Sequence, residues 1–238
     1  TGEESITITK RVVSLTSDTA SKPYDGTPLT RPDVTVAGDG FADGEVSDVK
    51  ATGTVTNVAE GPVNNTIVYT TGDGFNNDNY EISKTEGKLS ITPGTGIANK
   101  VTLNTASLGH LYDGTEHKLP ASNAKASDDS PLVIEYSVDG KSWTKDPSTI
   151  TAVNVRDSKK VQVRVSSTNF SDTVTGEAQL NVIPRRVTVT SQTASKVYDG
   201  TPLTKPEVTV GANLFLSDGV TNVRATGTVT NVSEGTVT

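Results

Sequence analysis

One short motif returns three times along this chain, and its spacing constrains what the chain can fold into. The motif is Tyr-Asp-Gly-Thr, and its tyrosines lie 88 and 86 residues apart. A fixed period of this length predicts a tandem array of similar units. The three copies, called here the YDGT motifs, are Tyr24, Asp25, Gly26 and Thr27; Tyr112, Asp113, Gly114 and Thr115; and Tyr198, Asp199, Gly200 and Thr201.

The period divides the 238 residues into three repeats after a short leading segment. Residues 11–64 align without a gap with residues 185–238 and are identical at 33 of 54 positions. Each full repeat is long enough to bury a core of its own. The predicted boundaries are 1–9 for the closing strand of a preceding repeat, 10–93 for the first repeat, 94–184 for a diverged middle repeat and 185–238 for a truncated third repeat.

The third repeat has no counterpart of residues 65–93, and missing strands leave an open sheet edge. We therefore expect this edge either to fray or to exchange a strand with a neighbouring molecule. Residues 5–9 are the predicted donor, because residues 4–8 resemble residues 88–92, which close the first repeat. Deleting residues 1–9 and measuring the mass in solution tests this exchange.

Alternating apolar and polar residues predict short strands throughout the chain. Residues 49–56 alternate apolar side chains with lysine and threonine, so one face of the strand is apolar. Asp139-Gly140 lies between two such runs and predicts a hairpin. The predicted fold is all-β, with tandem small antiparallel β-sandwiches of the immunoglobulin-like type, little or no helix, and a β-grasp-like unit as the alternative. Gly94-Thr95-Gly96 is the joint that we expect to be softest.

The composition excludes several classes of function. The formal net charge is −7 and the lysines and arginines are scattered, so the chain lacks the basic patch that nucleic-acid binding requires. There is no cysteine, which removes disulfides and thiolate chemistry. No apolar run reaches membrane-spanning length. The sequence therefore predicts neither a nucleic-acid partner nor direct membrane contact.

Three features carry a resemblance to a known family. They are the YDGT motif preceded by lysine, the segment Asn79-Tyr80-Glu81-Ile82 and the ending Gly87-Lys88-Leu89-Ser90-Ile91. Together they resemble the YDG/MBG repeats of bacterial cell-surface adhesins, and in the middle repeat Asn169-Phe170 stands where Asn-Tyr would. The resemblance implies tandem extracellular modules at the bacterial cell surface or cell wall, partnered by neighbouring repeats and in some cases linked to mucin or host surfaces. It supplies no catalytic residues.

The sequence leaves two functions open. One is a non-catalytic stalk or spacer that projects a distant binding head. The other is a module that binds a host glycoprotein or glycan through the middle repeat, with Trp143 and Tyr136 as the predicted ligand contacts. The competing interpretation of Trp143 is a half-buried sandwich residue. No motif pairs titratable groups as a catalytic site would, so neither an enzyme activity nor a cofactor is predicted.

The YDGT motif itself has a structural interpretation and a binding one. The binding interpretation is a loop that contacts a ligand. In the structural interpretation, Gly26 adopts a positive φ, Asp25 bonds its own backbone and Tyr24 packs inward. We predict the structural role, because a motif present in all three units more plausibly solves a folding problem that they share.

The sequence offers two acidic loops and one histidine pair as possible metal sites, and metal binding is predicted at none of them. Residues 39–45 and 73–79 have the oxygen-rich composition of calcium loops, but residues 213–219, which match 39–45, carry one carboxylate in place of three. Solvated turns are therefore predicted, with Phe41, Phe75 and Phe215 as core residues. His110 and His117 flank the second YDGT motif without an evident third ligand, so no zinc site is predicted.

Overall fold

The computed structural model describes residues 2, 4–211 and 221–238, and this part of the chain is all-β. It contains strands and short 3-10 turns but no α-helix. The predicted all-β class with little or no helix is thereby confirmed, whereas the β-grasp-like alternative lacks its helix within the described residues. None of the helical turns in this part of the chain is long or apolar enough to cross a bilayer.

Each repeat is built from short strands joined by turns. The strands of the first repeat are β1 (Arg11–Ser17), β2 (Ala20–Pro23), β3 (Leu29–Thr30), β4 (Val34–Gly38), β5 (Val46–Ala51), β6 (Thr54–Val55), β7 (Val63–Asn64), β8 (Ile67–Thr71), β9 (Tyr80–Thr85) and β10 (Lys88–Thr92). Those of the middle repeat are β11 (Val101–Asn104), β12 (Leu108–Leu111), β13 (His117–Lys118), β14 (Asn123–Ala126), β15 (Val133–Ser137), β16 (Thr151–Ala152), β17 (Lys159–Ser166) and β18 (Val174–Ile183). The described part of the third repeat has β19 (Val189–Ser191), β20 (Leu203–Thr204), β21 (Val208–Val210) and β22 (Thr228–Val229). The 3-10 turns are Val58–Glu60, Asn77–Asn79, Ile97–Asn99, Pro147–Thr149, Val155–Asp157 and Val232–Glu234.

The strands follow the period-two pattern of the sequence. In β17, Val161, Val163 and Val165 are fully buried, and Gln162 between them is exposed. Alternate side chains of a strand point to opposite faces, so one apolar face packs and the other meets water. The same alternation buries Val13 and Leu15 in β1.

The sheets are mixed rather than purely antiparallel. In the first repeat, β1 lies between β4, which is antiparallel, and β9, which is parallel. Strand β10 likewise lies between antiparallel β7 and parallel β2. Arg11 faces Tyr80 and Ala20 faces Leu89, so β1-β2 and β9-β10 run side by side in one unbroken register. The first and last segments of the repeat are therefore direct neighbours.

The middle repeat also pairs an early strand in parallel with its last strand. Its largest sheet has the order β12-β18-β17-β15, and β12 pairs with β18 in parallel, with Leu108 facing Leu180. The smaller pairs are β11-β14 and β13-β16. An early strand of the repeat is thus again paired in parallel with the strand that closes it.

The compact units of the structure do not coincide with the sequence repeats. The first compact unit joins the first repeat to part of the middle repeat, and the second joins the rest of the middle repeat to the third. The first unit comprises residues 1–103, 124–134 and 164–175, and the second comprises residues 104–123, 135–163 and 176–238. The first and middle repeats therefore share part of their packing, and the predicted repeat boundaries stay a prediction.

One hydrophobic core inside the first compact unit explains this division. It contains residues of the first repeat and residues of the middle repeat in a single cluster. Its buried members are Tyr24, Leu29, Val55, Leu89 and Ile91 from the first repeat and Ile97, Val101, Ala126, Val165 and Phe170 from the middle repeat. We call this cluster the junction core. A second cluster in the same unit, around Val13, Leu15, Ile67 and Tyr80, belongs to the first repeat alone.

The second compact unit buries its own residues, and its third repeat is open. Its buried side chains include Leu119, Tyr136, Ile150, Ala152, Val161, Val163, Ala178, Leu180 and Val182. In the third repeat, Tyr198 is 61% exposed and Val232 is 84% exposed. Their first-repeat counterparts are Tyr24, which is buried, and Val58, which is half-buried against the junction core. No described strand of the third repeat occupies the place that β10 has in the first.

The N-terminal residues that were predicted to donate a strand lie outside the sheets. Ile6 and Ile8 are 99% and 95% exposed, and residues 4–10 form no strand. The alternation of apolar and polar side chains in residues 5–9 matches that of β10, where Leu89 and Ile91 are buried. Strand exchange between copies stays a prediction.

Candidate functional site

The first YDGT motif forms the turn that its sequence predicts. Gly26 has a φ of 85°, a value that glycine adopts without the steric cost of a side chain. The backbone N–H of Thr27 donates to Asp25 Oδ1 at 2.8 Å, and its hydroxyl donates to the same oxygen at 2.7 Å. Lys22 Nζ lies 2.8 Å from Asp25 Oδ1. The hydrogen bond from Lys22, followed by those from Thr27, holds the pKa of Asp25 well below its ordinary value.

The other two motifs repeat this turn. Gly114 and Gly200 have φ values of 73° and 79°. The backbone N–H groups of Thr115 and Thr201 donate to the preceding aspartates at 2.9 Å in both copies. All three copies therefore form the same glycine-centred turn, although Tyr198 of the third copy is exposed where Tyr24 of the first is buried.

Tyr24 does more than the turn requires, because it reaches into the middle repeat. Its ring packs edge-to-face against Phe170, with ring centroids 5.2 Å apart. Its hydroxyl lies 3.1 Å from Ser130 Oγ and donates to Asp128 Oδ2 at 3.3 Å. The predicted inward packing is correct, but the partners belong to the next repeat. Tyr24 is thus the aromatic centre of the junction core.

Asn169 is a second residue that holds the two repeats together. It is 1% exposed, and its Oδ1 accepts a hydrogen bond from the backbone N–H of Val58 at 3.0 Å. Its Nδ2 donates to Asn57 Oδ1 at 3.0 Å and to Ser130 Oγ at 3.2 Å. The sequence marked this position only as a departure from Asn-Tyr, since nothing local indicates a partner more than a hundred residues away.

The segment Gly94-Thr95-Gly96, which was expected to be a flexible joint, is held in place by hydrogen bonds. The Gly94 N–H donates to Asn169 O at 3.0 Å, and Gly94 O accepts from Ser171 N at 2.9 Å. Asp172 Oδ2 accepts from Gly96 N at 2.9 Å. A Cβ at Gly94 would lie 2.4 Å from the carbonyl oxygen of Tyr24. Glycine is therefore needed here to let two backbone segments pack closely, and not to make the joint flexible. The prediction of a soft joint is wrong for this reason.

The residues predicted to contact a glycan do not form an exposed aromatic pair. Tyr136 is 2% exposed, and its hydroxyl accepts a hydrogen bond from Ser122 N at 2.8 Å. It is therefore a core residue and cannot stack on a sugar at the surface, which corrects that part of the prediction. Trp143 is half-buried beside the bridge between Tyr136 and Thr144.

The predicted turn between these residues is present and is organised by Asp139. Gly140 has a φ of 71°. Asp139 Oδ1 accepts from the backbone N–H groups of Lys141 and Ser142, each at 2.8 Å, and from Ser137 Oγ at 3.0 Å. The hydrogen bonds from Ser142 and then Lys141 lower the pKa of Asp139 from an ordinary 3.8 to about 2.

This pKa shift predicts an acid-sensitive turn. Because the pKa of Asp139 is lower in the folded chain than in the unfolded one, the carboxylate stabilises the fold above pH 3.8 and this stabilisation is lost as the pH falls towards 2. Trp143 is the only tryptophan, so urea unfolding followed by its fluorescence reports on this region. We expect Asp139→Asn to show a smaller loss of stability between pH 5 and pH 2.5 than the unaltered chain. An equal loss in both would contradict this assignment.

The second YDGT motif gathers three potential metal ligands. The Nε2 of His117 lies 2.9 Å from Asp113 Oδ1, and Nδ1 of His110 lies 3.6 Å from Asp113 Oδ2. The two imidazole rings are stacked, with centroids 4.0 Å apart. One ligand atom from each residue lies within 4.8 Å of the others. Hydrogen bonds from the Thr115 backbone and side chain, ahead of those from His117, lower the pKa of Asp113.

Asp113 is a third potential ligand that the sequence did not reveal, because its pattern assigned this residue to the turn. Asp113 lies three positions after one histidine and four before the other. Among the described residues, this is the one group of three histidine or carboxylate ligands close enough to share a metal ion. Phe41 and Phe75, from the two acidic loops, pack partly buried against the core that contains Tyr80, and residues 213–219 with Phe215 lie outside the described residues.

Comparison with known proteins identifies no family. No protein-family model and no curated protein matches this chain. Solved structures with some similarity include Drosophila N-cadherin EC1-3, at 6% identity and a TM-score of 0.28, covering 74% of this chain and 69% of that one. They also include extracellular domains 3-5 of Drosophila OTK, at 13% identity and a TM-score of 0.27, covering 82% and 63%.

A third similar structure is the titin domains z1z2 in complex with telethonin, at 15% identity and a TM-score of 0.30, covering 76% of this chain and 97% of that one. With identities and TM-scores this low, the similarities do not transfer the activities of those proteins to this chain.

Proposed function

We propose that this chain is a non-catalytic, tension-bearing spacer segment of a bacterial cell-surface adhesin. The observation that carries the proposal is the parallel pairing of the first two strands of the first repeat with its last two strands, β1 with β9 and β2 with β10. Six residue pairs join β1 to β9 and four join β2 to β10, without a change of register. The bacterial and cell-surface parts of the proposal rest on the resemblance of the YDGT motif and its companion segments to YDG/MBG repeats.

Parallel pairing of these segments resists extension for a geometric reason. Tension along the chain enters the first repeat at β1 and leaves it after β10. The two segments point in the same direction, so the tension pulls them past each other along their length. All the interstrand hydrogen bonds are then loaded together, and they must break together. If the same strands were pulled apart from one end, the bonds would be loaded one at a time.

The junction core supports the same role. Tyr24 and Asn169 link the first repeat to the middle one through buried contacts rather than through a free linker. Tension that leaves the first repeat after β10 therefore enters a connection that is itself packed. A flexible linker at this place would instead let the repeats turn independently.

Single-molecule pulling along two different axes tests the proposal. The chain has no cysteine, so introduced pairs define the points of attachment. Lys10→Cys with Pro93→Cys loads β1-β2 against β9-β10 in shear. Lys10→Cys with Asp78→Cys places both attachment points just before the starts of the parallel strands β1 and β9. Pulling there separates the two strands from one end. We expect the shear pair to unfold at clearly higher force, and equal forces for the two pairs would contradict the proposal.

The competing function, glycan binding by the middle repeat, is tested in parallel. Solid-phase binding of the chain to a mucin and glycan panel is compared with binding of Trp143→Ala. Because Tyr136 is buried and Trp143 is half-buried, we expect no saturable binding by either protein. Saturable binding that the substitution abolishes would make the middle repeat an adhesive module and would overturn the pure spacer.

A further inference from the structure

The middle repeat differs from its neighbours at the two positions that flank its YDGT turn. His110 stands where the first repeat has Lys22, and His117 stands where it has Leu29. The structure supports this equivalence: Lys22 faces Ile91 in the β2-β10 pair, and His110 faces Val182 in the β12-β18 pair. Leu29 and His117 each begin the short strand that follows the turn.

In the outer repeats, a cation lies at this turn. Lys22 Nζ is 2.8 Å from Asp25 Oδ1 and 2.6 Å from Thr27 Oγ1. Lys196 makes the same contacts in the third repeat, at 2.8 Å and 2.6 Å. The aspartate of the motif is thus neutralised by a fixed ammonium group in both copies. The middle repeat has replaced this lysine by histidine.

The replacement groups have the chemistry and spacing of a metal site. Imidazole nitrogen and carboxylate oxygen are ligands that Zn²⁺ accepts in proteins. Neighbouring ligand atoms of a tetrahedral zinc ion lie about 3.3 Å apart, given metal–ligand distances of about 2.0–2.1 Å. The three ligand atoms of His110, Asp113 and His117 lie within 4.8 Å of one another, so adjustments of the exposed turn bring them to this spacing.

Further contacts hold two of these residues in place. Asp113 Oδ1 accepts from the backbone N–H and the hydroxyl of Thr115 at 2.9 and 2.8 Å, which fixes the carboxylate. His110 Nδ1 lies 2.8 Å from Leu111 O. A carbonyl or carboxylate oxygen can only accept, so Nδ1 of His110 and Nε2 of His117 carry the proton, and the other nitrogen of each neutral imidazole keeps its lone pair. A backbone carbonyl that orients an imidazole in this manner is a usual feature of metal-binding histidines.

We propose that His110, Asp113 and His117 bind one divalent transition-metal ion of the Zn²⁺ class. The ion supplies at the middle turn the positive charge that lysine supplies at the outer two. Three protein ligands leave a further coordination position for water. His110 lies in the parallel β12-β18 pair of the middle repeat, whereas the pulling experiment loads only strands of the first repeat, so either proposal can fail without the other.

The test is a zinc titration of the full chain, freed of any affinity tag and treated with a chelator. Isothermal titration calorimetry with ZnCl₂ is expected to give one site per chain. The chain has only two histidines, so the two imidazole Cε1–H signals in the NMR spectrum should both shift at that stoichiometry. Ca²⁺ and Mg²⁺, which prefer oxygen ligands, should leave both signals in place.

Substitutions taken from the neighbouring repeats provide matched variants. His110→Lys and His117→Leu each install the residue of the first repeat, and each is expected to weaken zinc binding at least roughly tenfold. Glu116→Gln removes a nearby carboxylate outside the cluster and should bind zinc as the unaltered chain does. Circular dichroism and Trp143 fluorescence verify that each variant is folded. His110 is 44% exposed, so its substitution places little demand on packing.

Three results would overturn the proposal. The first is a titration up to about 1 mM zinc, a concentration that would detect even weak specific binding, with no binding heat in the calorimeter and no shift of the histidine NMR signals. The second is binding that leaves the histidine signals unmoved. The third is a folded His110→Lys chain that binds zinc as tightly as the unaltered one.

Discussion

Replacing Tyr24 with alanine is expected to destabilise the first compact unit by about 3–5 kcal/mol, the cost of removing a large buried ring. The substitution removes the edge-to-face contact with Phe170 and the hydroxyl contacts with Ser130 and Asp128. Differential scanning calorimetry should show the transition of this unit at lower temperature. In a double-mutant cycle, Tyr24→Ala and Phe170→Ala should be coupled by about 0.5–1.5 kcal/mol, the usual contribution of an aromatic pair beyond burial.

The third repeat provides the control for this prediction. Tyr198 occupies the same place in an almost identical motif but is 61% exposed. Tyr198→Ala is therefore expected to change stability by no more than about 0.5 kcal/mol. If both substitutions cost the same, the tyrosine would act through its own turn, and its role in the junction core would have to be abandoned.

Asn65 is the second position where a single substitution should have a large effect. Its side chain is fully buried and joins three separate segments of the first repeat. Oδ1 accepts from Gly53 N at 3.1 Å, and Nδ2 donates to Arg31 O at 2.7 Å and to Asp18 O at 3.3 Å. Asn65→Ala leaves these three backbone groups without a partner, and we expect a loss of about 3–4 kcal/mol in the free energy of unfolding.

The adjacent asparagine serves as the matched control. Asn64 is exposed and faces Lys88 in the β7-β10 pair, so Asn64→Ala should stay within about 0.5 kcal/mol of the unaltered chain. Urea unfolding followed by circular dichroism measures both variants. A small effect for Asn65→Ala would mean that water replaces its amide at little cost, and the segments around it would then not depend on this side chain.

Local patterns in the sequence predicted the strands and turns well, because their causes are local. The alternation of valines in β17 predicts one buried face, and Asp-Gly predicts the turns of the YDGT motifs and of residues 139–140. The parallel pairing of β1 with β9 was not predicted. Its partners are far apart in sequence, and alternation specifies the face of a strand but not its neighbour.

In the candidate sites, too, the features with local causes were predicted and those that depend on the fold were not. The turn of Asp25, Gly26 and Thr27 was predicted because all its bonds lie within a few residues. The contact of Tyr24 with Phe170 and the role of Asn169 were missed because each needs the fold to bring two repeats together. Asp113 was missed as a possible ligand for a different reason: one carboxylate serves the turn and faces both histidines.

The division of the compact units has a consequence for how the chain responds to a protease. The backbone passes from one unit to the other at five places, after residues 103, 123, 134, 163 and 175. In an array of self-contained domains, a single nick in a linker frees a fragment. Here a single nick after residue 103 divides the chain into residues 1–103 and 104–238, but both fragments contribute buried side chains to the junction core. The packing of that core would therefore hold the two fragments together after a break that would separate simple tandem domains.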